Sequence, residues 1–365
     1  MKRLIRSILL LTLVACCPLL AADNGVVTWV SDVHDFGTFK EEIGKVTHEF
    51  LLVNTGDSPL TIVQVRPTCG CTTGEFSHMP VQPGDTTTIS VTFDPENRPG
   101  QFTKDIWVVT NGTPNRSRIT IKGNVIGSAK TVSDKFPVSV GPIKMSTAVV
   151  PLGEINQNNA KLGYINVYNT APDTMLITFS DYEKPLRPEA VPDTVPPGQR
   201  STITVFYDAH FAPLIGLNTS TAMVTAKPLH PSSQSTMGMG QIEVMAQVRE
   251  DFSRLSEEKL KHAPVVTIVD EKVDFKTFSE PKTVKIEVKN KGKDPLIIRR
   301  VQTYDKGITA SCDITKVKKG KTANVSITVD PALLGEKLLN NTITIITNDP
   351  ENPVLDVRLV GIIKN

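Results

Sequence analysis

The sequence predicts an all-β protein of three tandem β-sandwiches with one short linker helix. Three observations predict it. Short runs alternate apolar and polar residues with β-branched enrichment, turn residues punctuate them every 8–12 positions or so, and one ordered skeleton occurs three times. In its first copy the skeleton runs Asn54-Thr55-Gly56-Asp57-Ser58-Pro59-Leu60, Cys69-Gly70-Cys71, Pro83-Gly84-Asp85 and Asp94-Pro95. It returns as Asn290, Gly292, Pro295-Leu296, Gly320 and Asp330-Pro331. A looser middle copy carries Asn169-Thr170, Pro197-Gly198-Gln199, Thr202 to Phe206, and Asp208. A repeat this long has the size of a whole domain, not of a solenoid unit.

The elements follow in chain order. Residues 1–22 read as a signal peptide: Lys2, Arg3 and Arg6 form a basic start, and Ile8 to Ala15 is an apolar run too short to span a bilayer. Two cleavage readings stand. Leu13-Val14-Ala15-Cys16 matches a lipobox and would place a lipid on Cys16, whereas Leu20-Ala21-Ala22 suits release of a soluble protein. Residues 26–126 form the first module. Its strands include Lys45 to Asn54, Leu60 to Val65, Thr87 to Phe93, Asp105 to Asn111 and Arg118 to Gly123, with period-two alternation clearest at Ile89, Val91 and Phe93. Asn54 and Gly56 are expected to turn the chain through positive φ, as is Gly84 after Pro83. Residues 132–249 form a divergent second module with an exposed, mobile loop over Ser232 to Gly240. A helical linker is expected over 250–264, its helix spanning Asp251 to His262, and residues 265–365 repeat the first module.

Composition narrows function. Formal net charge is +2, from 40 Lys+Arg against 38 Asp+Glu, and aromatics make up 5% of the chain, so neither a clustered basic face nor stacking platforms for nucleic acid are indicated. No Gly-x-Ser-x-Gly elbow, His-Glu-x-x-His pair or phosphate-binding loop occurs, and no enzyme is expected. Beyond the N-terminal segment no apolar run is long enough to span a bilayer, so any membrane contact is expected only through a lipid on Cys16. Cleavage after Ala22 leaves Cys69, Cys71 and Cys312, an odd number that does not make a disulfide framework.

Cys69-Gly70-Cys71 is the sharpest constellation, and three readings of it stand. It is a strand-end turn whose thiols pack as small apolar groups. Or it is a redox pair: in an extended strand, Cα atoms two residues apart lie near the upper edge of the roughly 4.4–6.8 Å that a disulfide spans, which predicts a strained, easily reduced bridge. Or the two thiolates, with His78 or Met79, hold a soft metal such as copper(I). The third copy has Asp305 and Gly307 where the first has Cys69 and Cys71, and the middle copy, near Glu183-Lys184-Pro185, has no cysteine. The sandwich is therefore built without the pair, which makes its role local to the first module. Cys312 is expected as a buried core thiol. His34, His48 and His78 match no zinc spacing and read as scattered surface or packing residues, and Lys316 to Lys321 reads as a solvated basic turn.

The ordered string Phe36-Gly37, Asn54 to Leu60, Pro67-Thr68-Cys69-Gly70-Cys71-Thr72, Pro83-Gly84-Asp85 and Phe93-Asp94 resembles the bacterial domain of unknown function 1573. The likeness covers the first module most fully, then the third without its Cys-Gly-Cys, then the second. That family is commonly exported and is similar to immunoglobulin-like modules of the ASH, major sperm protein and hydin type. The resemblance implies seven-stranded immunoglobulin-like sandwiches and supplies no activity. The expected function is an exported binding or scaffold array in the cell envelope, with another envelope protein as partner and no cofactor. Interaction surfaces are expected on the Cys-Gly-Cys loop and on exposed edge strands. Thiol or copper handling by Cys69 and Cys71, and a lipid-anchored spacer, are the rival expectations.

Overall fold

The strands and turns assemble as the alternation requires. The computed structural model describes residues 25–230 and 234–364; the expected signal segment with Cys16 lies outside them. Two compact units are present, Met1–Thr131 and Val132–Asn365, the second containing two sandwiches. Each of the three sandwiches closes around its own apolar core.

In the first sandwich one sheet is ordered Val27–Trp29, Val46–Asn54, Thr86–Phe93, Thr72–Phe76. The facing sheet is ordered Val33–Lys40, Arg116–Ile126, Gly100–Thr110, Ile62–Pro67. The chain's first strand is thus divided between the sheets, and its second half pairs parallel with the last strand. This division gives the fold one more strand segment than the seven expected. The third sandwich repeats the layout, with Val266–Ile268 in one sheet and Lys272–Phe278 parallel to Val354–Ile363 in the other. The second adds short edge segments, and its sheets are ordered Leu186–Val191, Arg200–Asp208, Ala160–Asn169, Ile143–Met145, Val138–Val140 and Val149–Asn156, Gly238–Arg249, Gly216–Pro228, Met175–Ser180, Thr194–Val195. Ile89, Val91 and Phe93 all lie fully buried, and so do their counterparts Val325, Ile327 and Val329.

The repeated asparagine works differently from the expectation. Asn54, Asn169 and Asn290 are fully buried at strand ends and none has positive φ. Each donates its side-chain amide to two backbone carbonyls: Ser58 and Val81 at 2.8 and 2.9 Å, Asp173 and Val195 at 2.8 Å each, Asp294 and Val317 at 2.8 and 3.0 Å. Each Oδ1 then accepts the N–H two residues on, from Gly56, Ala171 or Gly292. The side chain, not a left-handed backbone, makes this turn. The glycine turns do follow expectation, with Gly84 and Gly198 after proline and Gly320 after Lys319 at φ 81°, 66° and 72°.

Three other expectations need correction. The linker helix is only Glu257–His262, because Asp251 folds back to accept the Ser253 N–H and Ser256 caps the helix from Lys259. Short helices also occur at Ala129–Lys135 and Pro331–Leu334, the latter capped by Asp330 accepting from Ala332. The stretch expected as a mobile loop up to Gly240 is already strand from Gly238, and Ser235 donates its N–H and hydroxyl to Asp173 at 2.8 and 2.7 Å.

Two polar locks stand out. In the first unit Glu41, 9% exposed, accepts from the Asn97 and Ser128 N–H groups at 2.7 and 2.8 Å and from the Thr131 hydroxyl at 2.9 Å. Burial opposes its ionisation, but these donors hold its carboxyl below the usual range. In the second unit the second and third sandwiches are joined by hydrogen bonds. Gln302 accepts the Leu217 N–H at 2.8 Å, Arg300 donates to the Leu217 carbonyl at 2.6 Å, and Arg299 donates twice to Glu250 at 3.0 and 2.6 Å. Gly216, at φ 107°, lies so close that a Cβ would sit 2.6 Å from Ile346 Cδ1.

Candidate functional site

The loop joining the two sheets beyond Ile62–Pro67 carries the cysteine pair. Its backbone is fixed by three hydrogen bonds: Thr68 N–H to the Asp105 carbonyl at 3.0 Å, Thr72 N–H to the Cys69 carbonyl at 3.3 Å, and Asp94 N–H to the Cys71 carbonyl at 2.9 Å. Cys69 and Cys71 are joined by a disulfide with their Cα atoms 5.4 Å apart. The chain bends here, so the near-limit spacing expected of an extended strand does not arise. Cys71 packs into the core, Cys69 is half-buried, and Gly70 between them is exposed. The buried Thr72 hydroxyl lies 3.5 Å from Cys69 Sγ and 3.8 Å from Cys71 Sγ.

The same turn is built three times with three chemistries. Leu186 N–H to the Glu183 carbonyl and Asp208 N–H to the Pro185 carbonyl, both 2.9 Å, reproduce it in the second sandwich. Ile308 N–H to Asp305 at 3.1 Å and Asp330 N–H to Gly307 at 2.8 Å reproduce it in the third. Cys69, Cys71 and Thr72 therefore stand where the third copy has Asp305, Gly307 and Ile308. Closing a ring of three residues removes little unfolded-chain entropy, about 1–2 kcal/mol by the loop-length relation. The bridge is not what holds this turn.

The other sequence candidates disperse. Met79 is 74% exposed and His78 is also exposed, its ring edge-on to Phe76 at 4.6 Å. Sulfurs bonded to each other offer no thiolate to a soft metal. Among the described residues no three His, Cys, Asp or Glu side chains converge to hold an ion. Cys312 is not fully buried as expected. It ends the strand Ile308–Cys312 half-exposed, donates to the Ile314 carbonyl at 3.1 Å, and burial raises its thiol pKa. Within Lys316 to Lys321, Lys316–Val317 is a short strand paired with Leu296 and Ile297, and the rest is an exposed turn.

Two arrangements escaped the sequence reading. His34 and His48, from opposite sheets, stack with ring centroids 3.6 Å apart and planes 5° from parallel, flanked by Phe36 and Phe50 at 4.5 and 4.8 Å. Burial, then the adjacent His34, holds His48 below its ordinary value. Each histidine lies two residues before a phenylalanine on the same strand face, a spacing that places each ring on its own strand without showing that the two rings meet. The second is a groove of about 480 Å³ in the second sandwich, at the very turn that carries the cysteines in the first. Tyr182 and Phe211, 40% and 45% exposed, stand on its rim. The Lys184 ammonium lies 4.1 Å over the Phe211 ring and the Arg187 guanidinium 5.1 Å over Phe206. Register places Arg187, Phe206 and Leu162 side by side on the outer face of three strands.

Residues 27–125 and 266–362 match the family model described as Protein of unknown function (DUF1573), which together is more than half of the chain. The chain belongs to that family of immunoglobulin-like sandwiches. A crystal structure of a protein of unknown function from Porphyromonas gingivalis W83 is similar at 18% identity and TM-score 0.51, covering 61% of this chain and 100% of that one. The ASH/PapD-like domain 7 of human CEP192 is matched at 14% identity and TM-score 0.24, over 35% of this chain and 99% of that domain. The periplasmic chaperone SfaE is matched at 11% identity and TM-score 0.24, over 61% and 100%. No curated protein matches the sequence.

Proposed function

We infer that this chain is a non-enzymatic binding or scaffold protein, exported to the cell envelope, whose partner is another envelope protein. The groove beside Leu186–Val191 carries the reading. Aromatic and arginine side chains left in solvent around a concavity are the composition that protein contact surfaces favour. The cations over Phe211 and Phe206 hold those rings in place and present a polar rim. Leu186–Val191 is an edge strand, with Pro188 removing one donor from it, so side-chain contact is favoured over simple strand addition. Export is supported by the basic start and short apolar run of residues 1–22.

Site-specific photo-crosslinking in the native envelope tests this. A photoreactive residue at Tyr182 or at Phe211 is expected to capture the same protein, and one at Val269, 79% exposed in the third sandwich, is not. Equal capture at all three positions, or none at Tyr182 and Phe211, would leave an architectural spacer as the better account.

A further inference from the structure

We propose that Cys69 and Cys71 form a thiol–disulfide exchange site in which Cys69 Sγ is the sulfur attacked by an incoming thiolate. Three observations on the first sandwich carry this. The turn holding the pair is reproduced by the same two backbone hydrogen bonds in copies without cysteine, so opening the bond leaves its scaffold standing. The two sulfurs differ in access: Cys69 is half-buried and Cys71 is 9% exposed. Gly70 leaves the approach clear, since even a Cβ there would have no heavy atom within 4 Å. The third copy loses Cys69, Cys71 and the Thr72 hydroxyl together, as a functional set would be lost.

The step balances as a two-electron exchange. A thiolate of a dithiol partner attacks Cys69 Sγ, the Cys69–Cys71 bond breaks, and Cys71 leaves with the electron pair as thiolate. The Thr72 hydroxyl, within reach of both sulfurs, can donate to it. The partner's second thiolate then attacks its own sulfur in the mixed disulfide and expels Cys69. The partner is oxidised to a disulfide, and Cys69 and Cys71 are reduced to two thiols that take two protons from solvent. The reverse sequence oxidises the pair. This site stands independently of the groove in the second sandwich.

The full-length protein in glutathione redox buffers, quenched by alkylation and mapped by peptide mass, tests it. Cys69 and Cys71 are expected to gain and lose alkylation reversibly as the buffer ratio changes, with the native far-UV circular dichroism spectrum kept throughout. In Cys71→Ser the glutathione adduct on Cys69 is expected to form at least roughly tenfold faster than the adduct on Cys71 in Cys69→Ser, reflecting access. Thr72→Val is expected to slow reduction without moving the end point by as much. A bond that opens only when the wild-type chain is unfolded in urea would overturn the proposal. Equal adduct rates on the two sulfurs would overturn the assignment of Cys69. The wild-type experiment decides the main point even where a serine variant fails to fold.

Discussion

Asn54, Asn169 and Asn290 show how a single side chain organises a sandwich. Each is buried and serves two carbonyls and at least one N–H that would otherwise lie unpaired away from water, Asn54 and Asn290 accepting a second from Val26 and Val265. Asn290→Ala is expected to lower the stability of its unit by ~2 kcal/mol, read as a lower urea midpoint at unchanged slope. His48 gives a pH prediction. Its folded pKa is depressed from 6.5 by burial and by His34, so the neutral form is favoured. Its contribution to stability is present above 6.5 and is lost as pH falls through the folded value. NMR titration is expected to place the His48 midpoint below 6.5, and His48→Gln to flatten this part of the stability profile. Glu41 acts with the same sign at lower pH, since its donors serve the carboxylate and are lost on protonation.

Elements are where sequence and structure meet most closely. Alternation at Ile89, Val91 and Phe93 reports a buried face directly, because strand period is two. Pro83-Gly84 and its copies report their turns, because only glycine takes positive φ freely. What the sequence hides is contact across sheets. His34 and His48 meet because their strands belong to facing layers, and no spacing rule encodes that. The groove escaped because the second copy is the most eroded, and its exposed Tyr182 and Phe211 look like ordinary loop residues. The strand contact between the second and third sandwiches was equally silent, since it rests on Leu217, Arg300 and Gln302 outside the repeated skeleton. Gln302→Ala is expected to cost about 1–3 kcal/mol by stranding the Leu217 N–H, with Arg299→Ala at the exposed rim costing under about 1 kcal/mol.

At the scale of the molecule, two compact units comprise three cores. Scanning calorimetry is expected to resolve one transition per unit. Gly216→Val, which forces a side chain against Ile346 and Gln302 at a positive φ, is expected to split the second transition in two. A shared turn carries a disulfide in one copy, a groove in the next and a plain aspartate cap in the third. One fold thus offers chemically different surfaces at one shared turn.

In the function we propose, the groove binds an envelope protein. The most direct measurement is recovery of the captured protein by a photoreactive residue at Tyr182, compared among the wild type, a Phe211→Ala variant with Arg187→Ala, and a Cys69→Ser variant with Cys71→Ser. Loss of Phe211 at the rim together with Arg187 is expected to cut recovery at least about tenfold, and loss of the cysteines to leave it unchanged. Undiminished recovery in the groove variant would contradict the account.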